Sequence, residues 1–556
     1  MQTYDAIVVG SGISGGWAAK ELCEKGLKTL VLERGPNVEH IKDYPTATLD
    51  SWQFKHHLFN TEKDRAENPV QSKAYTEATK HFYVNDKDHP YIQDTPFSWI
   101  RGYQVGGRSL TWGRQCYRLS DLDFEANAKD GHAVDWPIRY RDIAPWYSYV
   151  ENYIGISGKA EGLPHLPDGN FLPPFDFNCV EDDFAKKIKK KYNDRIVTVA
   201  RIANLTRGWN GRGPCQSRNL CDRGCPFGGY FSSNAATLPS ASLTGNLSIL
   251  PNAIVSELIY DNQKNRVTGV RVIDSTTKNS TEYYAKIIFL NASTIATAAI
   301  LLKSISKRFP NGLGNESDQV GRNLMDHFTF SGAKAEHPGL KEKYYYGKRP
   351  SGIYVPRFQN TNPETMRKEF VRGYGYQGIG ERLDWNENSK IDDFGISYKE
   401  KLTTPGPWTM ILGTYGETLP YENNRITLDK EKQDQWGQPI LHISFKYGAN
   451  EDAMRKDGIK SAEEMLYAGG MKNVSTFDYR NTPGSAVHEM GTARMGRDPN
   501  TSVINGNNQL HEAKNVFITD GSCMTSSGCQ NPSLTYMALT ARACAFAVTE
   551  MKKNNL

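Results

Sequence analysis

No stretch of the 556-residue chain approaches the roughly 20 consecutive apolar residues that a bilayer-spanning helix needs, so no direct membrane insertion is expected. Charge of one sign is also missing: 67 Lys and Arg against 62 Asp and Glu leave a formal +5. Binding a nucleic-acid backbone takes a concentrated basic face, so nucleic acid is not an expected partner and a small neutral polar substrate fits better. The one dense basic run, Lys186, Lys187, Lys189, Lys190 and Lys191, reads as a solvated helix face, with docking of an acidic partner as the other reading. Internal repeats and low-complexity segments are absent. Ahead of the apolar run at residues 6–10 there is no basic segment, no signal-peptide core and no small-residue cleavage site. The chain is therefore expected to carry no address of its own: cytoplasmic, or periplasmic if exported together with a partner subunit. Nine cysteines, an odd number, argue against a disulfide framework.

What is present organises the chain from both ends. Its length exceeds that at which one core keeps growing, so two interleaved domains are expected. Residues 4–10 form an apolar, β-branched run suited to a buried parallel strand; residues 12–25 have helical character, and residues 28–33 (KTLVLE) read as a second strand. This is a βαβ unit. Residues 515–520 read as a late strand and residues 532–551 as an Ala-rich closing helix, so the middle of the chain is expected to be inserted into one nucleotide domain. Residues 408–413, 425–428 and 441–447 alternate apolar and polar residues, which predicts an antiparallel sheet with one wet face. The resulting partition places 1–35, 100–330 and 480–556 in one discontinuous domain, 331–479 in an inserted domain and 36–99 in an extended excursion.

The turn Gly10-Ser11-Gly12-Ile13-Ser14-Gly15 has the G-x-G-x-x-G spacing of a dinucleotide site. Its glycines permit a tight turn, let a pyrophosphate approach the backbone, and let helix pack on strand, while the helix N-terminus offers unpaired amides to phosphate. Glu33, at the end of the second strand, is placed to accept from ribose hydroxyls. The turn alone does not separate FAD from NAD. A second cluster, Gly102-Tyr103-Gln104-Val105-Gly106-Gly107-Arg108-Ser109-Leu110-Thr111-Trp112-Gly113, is too glycine-rich for an element interior and reads as a loop that lets a ligand approach the backbone. Late in the chain come His488-Glu489-Met490-Gly491-Thr492-Ala493-Arg494-Met495-Gly496 and Gln530-Asn531-Pro532. A histidine, with an ordinary pKa of about 6.5, is largely neutral at pH 7 and suits a base that takes a hydroxyl proton. Asn531 precedes a proline and is biased out of helical geometry just before the last helix, where its amide can enter a cleft.

On these motifs, and on Gly321-Arg322-Asn323-Leu324-Met325-Asp326-His327, Leu419-Pro420, Asn424-Arg425-Ile426-Thr427-Leu428-Asp429 and Asp520-Gly521-Ser522, the sequence resembles the glucose-methanol-choline (GMC) oxidoreductases from end to end. The resemblance implies an α/β fold, α+β overall, with a Rossmann-like FAD-binding domain and an inserted substrate domain built on an antiparallel sheet. It implies His488 as the base and Asn531 as its partner holding the substrate oxygen. The cofactor-contacting set it implies is Gly10, Gly12, Ser14, Gly15, Glu33, Arg34, Gly106, Gly107, Ser109, Thr111, Val255, Asp520 and Pro532. Thr111 stands where some relatives carry a histidine bonded to the flavin, so FAD is expected without a covalent link. An acid beside a pyrophosphate repels it, so Asp520 is expected to act through water or backbone amides.

Cys215, Cys221 and Cys225 crowd together and end in Cys-Pro, as iron-sulfur ligand runs often do, and neither gap is that of a zinc knuckle. Reduced structural thiols, or a disulfide plus one free thiol, are the plainer readings. The same spacing occurs in iron-sulfur-containing FAD glucose dehydrogenases of the family; the resemblance implies a 3Fe-4S cluster on these three cysteines in the loop 212–228. A fourth ligand among Cys23, Cys116, Cys179, Cys523, Cys529 or Cys544 stays open. The expected activity is that of a sugar or glycoside dehydrogenase, similar to glucoside 3-dehydrogenases, passing electrons to a cytochrome, quinone or dye and working with a small accessory subunit. Oxidation at sugar C1, a pyranose-oxidase-like reaction giving peroxide, a nicotinamide dehydrogenase and a noncatalytic electron-transfer subunit are the rivals. Trp385, Trp408, Tyr415 and Tyr421 are candidates to stack on sugar rings.

Overall fold

Two sheets with separate cores organise the chain in the computed structural model, which describes residues 3–344, 349–382, 394–403, 405–480 and 482–556. The larger sheet has seven strands. Its parallel part runs Leu247–Leu250, Thr29–Leu32, Thr3–Val9, the second half of Ser280–Leu290, then Val516–Ile518. Burial on both faces explains the continuous apolar runs. Ala6 and Val8 pack toward the helices Ile13–Glu24 and Ser533–Lys552, whereas Ile7 and Val9 pack toward Thr294–Lys303. The small residues Ala18 and Ala19, fully buried, let the first helix lie close on the sheet. Ser280–Leu290 changes partner midway: Ser280 to Tyr284 pair antiparallel with Arg266–Asp274, which continues the meander to Ala253–Asp261.

The second sheet has six strands in the order Lys472–Asp478, Ser331–Glu336, Trp408–Gly416, Tyr374–Arg382, Ile353–Val355 and Thr198–Val199, all antiparallel. Helices Ala449–Ala468 and Cys179–Lys191 cover one face, where Phe184, Ile188, Met410, Leu412 and Met465 form its core. Along Trp408–Gly416 the buried positions are alternate ones. The intervening residues, Tyr415 among them, share the opposite face with Gln377 of the neighbouring strand. That face is turned toward the cleft between the sheets. The second lobe thus draws on residues 179–199 as well as on those after 330.

The hairpin Arg425–Gln433 and Pro439–Ser444 lies apart from the six-stranded sheet. It takes Ile92–Gln93 as a third, parallel strand, and its Ile426, Leu441 and Ile443 join the core of the first sheet. The excursion before it is built mostly of 3-10 turns, with one short helix, Glu62–Glu67. No helix among the described residues is long and apolar enough to cross a membrane.

Candidate active site

The parallel strands end at Gly10 and Asn291, whose amides bond to the carbonyls of Leu32 and Val9 at 2.8 and 2.9 Å. A cavity of about 800 Å³ opens at this carboxyl edge, where open α/β sheets bind ligands, and runs to the second sheet. The glycine turn combines close packing with an open backbone face. Gly10 has φ +93°, and a Cβ there would lie 2.4 Å from the Asn291 carbonyl; a Cβ on Gly15 would lie 1.9 Å from the Gly10 carbonyl. A Cβ on Gly12 would meet nothing within 4 Å on the protein side, so that glycine leaves room for a ligand rather than for packing. Gly10, Gly12, Ser14, Glu33, Arg34, Gly107, Ser109, Thr111, Val255, His488, Asp520, Asn531 and Pro532 all line the cavity. Gly15 and Gly106 stand behind it as packing positions: a Cβ on Gly106 would run into Asn234 Oδ1 at 1.7 Å.

Two acidic residues at the cavity are engaged by hydrogen bonds from the protein itself. Glu33 Oε2 accepts from the Ser11 amide and hydroxyl at 3.0 and 2.6 Å, and Oε1 accepts from the Gly35 amide at 3.1 Å. It therefore braces the glycine turn while facing the cavity, and burial pushes its carboxyl above the usual range. Asp520 accepts from Ser522 through Oδ1, with the amide at 3.0 Å, and from Thr297 Oγ1 at 2.5 Å, so its charge is turned into the helix-capping network. Arg34 lies over the rings of Tyr103 and Trp436 at 4.9 and 5.2 Å, an aromatic end suited to a flat base. Beyond Pro532 the amides of the first turn of Ser533–Lys552 have no intrahelical partner, and Ser533 and Tyr536 line the cavity.

At the other end of the cavity stands a chain of side-chain hydrogen bonds. His488 Nε2 is 3.2 Å from Asn531 Nδ2, and Asn531 Oδ1 accepts from Gln377 Nε2 at 2.6 Å. His488 Nδ1 is 2.9 Å from His327 Nδ1, and His327 Nε2 is 2.8 Å from the Gly528 carbonyl. The amide of His488 donates to Asp326 Oδ1 at 3.0 Å and that of Gly484 to Oδ2 at 2.8 Å. Burial, then the neighbouring Glu489, raises Asp326 to about 7. Burial, His327 and Arg108 hold His488 well below an ordinary histidine. The preceding residue, Val487, adopts φ +57°, a strained setting for a β-branched side chain that aims the histidine into the cavity. Arg108 pairs with Glu489, Nη2 to Oε2 at 2.7 Å, along the same wall. Arg108, His327 and Glu489 were all in quoted motifs, but nothing in their spacing marks them as neighbours of His488. Gln377 carried no sequence signal.

The proposed sugar-stacking residues separate. Tyr415 lies beside His488 with ring centroids 6.3 Å apart. Trp408 is instead a core residue, 1 % exposed, with its indole donating to the Leu340 carbonyl at 3.1 Å, because it falls on the helix-covered register of its strand. The Tyr421 hydroxyl is taken up by Glu451 at 2.9 Å. Trp385 lies outside the described residues.

Among the described residues no group of three His, Cys, Asp or Glu side chains is disposed to hold a single metal ion, and this includes Cys215, Cys221 and Cys225. All nine cysteines are free thiols, which removes the disulfide reading. The Ser217 amide donates to Cys215 Sγ at 3.4 Å and the Gly229 amide to Cys225 Sγ at 3.3 Å. Tyr230, buried beside this loop, donates its hydroxyl to the carbonyl of Leu110, in the glycine-rich loop 102–113, at 2.6 Å.

The GMC oxidoreductase family profile matches residues 4–329 and 420–540, and the chain belongs to that family. It is an FAD-dependent oxidoreductase acting on CH–OH donors. It is 28 % identical over 554 residues to a 2-methyl-1,2-propanediol dehydrogenase of Mycolicibacterium austroafricanum, covering 97 % of this chain and 94 % of that one. It is 26 % identical to the fructose dehydrogenase large subunit of Gluconobacter japonicus, covering 99 % and 98 %. In fold it is similar to a formate oxidase variant of Aspergillus oryzae RIB40, with a TM-score of 0.63 at 14 % identity over 100 % and 99 % of the two chains.

Proposed function

We propose that this chain is a dehydrogenase for a secondary hydroxyl of a sugar or glycoside, C3 of a glucoside being the favoured position, with noncovalently held FAD. The observation that carries the reading is the His488–Asn531 pair facing the glycine-lined cavity. Bound FAD supplies the hydride acceptor. His488, held neutral by burial, takes the hydroxyl proton at Nε2, and the Asn531 amide binds the substrate oxygen and keeps it beside that nitrogen. Gln377 fixes the amide by donating to its oxygen, which leaves the NH₂ group toward His488 and the substrate. Tyr415 supplies an aromatic wall for a ring substrate. Thr111 lines the cavity where a covalent link would form and has no nucleophile suited to one, so acid precipitation is expected to release all the flavin.

The cysteine loop supports an electron exit. Two of its sulfurs accept backbone amides, Cys215 from Ser217 and Cys225 from Gly229, as cluster thiolates do. Ligands of separate irons need not converge on one point, so a 3Fe-4S cluster asks for a wider spacing than a single ion does. Such a cluster would accept electrons singly, and Tyr230 bridges its loop to residue 110 of the flavin loop. The outward acceptor would be a cytochrome, a quinone or a dye, with a small accessory subunit and, through it, export as the accompanying proposals.

The test is turnover of methyl glucoside with a dye under argon and in air, with the product carbonyl located by NMR and iron and acid-labile sulfide assayed. A 3-keto product with dye reduction and little peroxide is expected. Turnover of free glucose alone would move the chemistry to C1, peroxide in air would make it an oxidase, and absence of iron would remove the cluster.

A further inference from the structure

The Asp326-His327 pair closes the Gly321–His327 motif, and the reaction as described above does not use it. Asp326 holds the backbone of His488; His327 touches its ring, is 1 % exposed and lines no part of the main cavity. Two imidazole nitrogens 2.9 Å apart share one proton, so one donates and the other accepts. The Gly528 carbonyl can only accept, which fixes the proton of His327 on Nε2, at 2.8 Å from that oxygen. Burial brings the His327 pKa down to about 4, so the ring is neutral and carries no second proton. His327 Nδ1 is then a lone pair. His488 must place its own proton on Nδ1 to meet it, and its Nε2 is left bare. The arrangement agrees at the far side: Gln377 donates to Asn531 Oδ1, so Asn531 presents its NH₂ group, a donor, to that bare Nε2.

We infer that His327 is a positioning residue that sets the tautomer of His488, keeping Nε2 free of a proton where the substrate hydroxyl arrives, through the relay Gly528 carbonyl, His327, His488, Asn531. The identity of each ring nitrogen follows from the partner of the other. When the substrate O–H bond breaks and N–H forms on Nε2, the imidazolium keeps its Nδ1–H on the His327 lone pair, which stabilises the charge without movement of either ring. With no acceptor at position 327, the His488 proton has its better partner on the Nε2 side, in the substrate oxygen, and the ring arrives already protonated at the reacting nitrogen.

The inference rests on His488 as the base, and the experiments separate the two. In ¹⁵N-histidine-labelled holoenzyme, compared with His488→Gln to isolate the ring, His488 is expected to show a protonated Nδ1 and a pyridine-type Nε2 at neutral pH. The opposite tautomer overturns the inference, whatever the variants do. In kinetics, His327→Leu removes the acceptor and is expected to lose about 100-fold in kcat, with FAD content and KM nearly unchanged. His327→Asn puts an amide oxygen where Nδ1 stood and is expected to restore most of that loss. Equal losses in the two variants, or none in His327→Leu, overturn it. Should His327→Leu fail to fold, the spectrum of the wild-type holoenzyme decides. A fully active His488→Gln would instead sink the base assignment and leave the tautomer measurement standing.

Discussion

The chemistry of this protein is concentrated in a few side chains whose charge state is set by burial. His488 is faced by His327, Asp326, Glu489, Arg108 and Tyr415, and its pKa is lowered first by burial and then by the two cationic or cationisable neighbours. A base must be unprotonated to act, and a lowered pKa keeps it so to lower pH. The acid limb of kcat/KM is therefore expected below pH ~6.5, the ordinary histidine value, and a rate profile across the acid range checks this. His488→Gln is expected to cost about 10²- to 10⁴-fold in kcat and to abolish that limb, with flavin absorbance unchanged. An unchanged limb would assign it to another group, Asp326 with its pKa near 7 being the nearest.

At the scale of elements, the decisive contact is that of the first helix against the first strand. Gly15 sits so close to the Gly10 carbonyl that any side chain displaces the helix, and with it the amides at the helix N-terminus that the proposed FAD site uses. Gly15→Val is expected to yield protein without visible flavin absorbance and with FAD affinity reduced at least 100-fold in titration, because the turn itself is the site. Full flavin content in that variant would show that the second loop, around Gly107, carries the binding alone. The antiparallel strands contribute in another way: their covered register builds a core, and their open register delivers Gln377 and Tyr415 to the histidine.

At the scale of the whole molecule, the two lobes are tied by a buried charge cluster. Arg372, 4 % exposed, pairs with Asp130 and Asn127 of the first lobe and with Glu417 of the second, at 2.8 Å for Glu417 and 2.7 Å for Asn127. Removing the arginine of such a cluster leaves Glu417, 1 % exposed, charged and dry. Arg372→Ala is expected to lower unfolding stability by about 3–5 kcal/mol, read by denaturant titration of the holoenzyme. Arg372→Met, equally unable to pair, should behave alike; recovery in that variant would mean that volume and not charge was lost.

The sequence by itself determined the elements whose signal is local. The run at residues 4–10, the helical stretch 12–25, the KTLVLE strand and the Ala-rich last helix are short-range patterns, and they became Thr3–Val9, Ile13–Glu24, Thr29–Leu32 and Ser533–Lys552 within a residue or two. The alternation at residues 408–413 likewise marked a strand, but which register would be covered depended on the helix Ala449–Ala468, and Trp408 went to the core while Tyr415 faced the histidine. Glu33 and Asp520 were placed at the cavity by their motifs, yet their hydrogen bonds went to Ser11 and to Ser522 and Thr297, since a buried carboxylate takes the nearest donors the fold supplies. Only tertiary structure decided that His327, 161 positions before His488, lies on its ring and that Gln377 reaches Asn531. Periodicity and spacing encode what a segment does with its own neighbours. A proton's place on a ring is decided by atoms that the chain brings together from far apart.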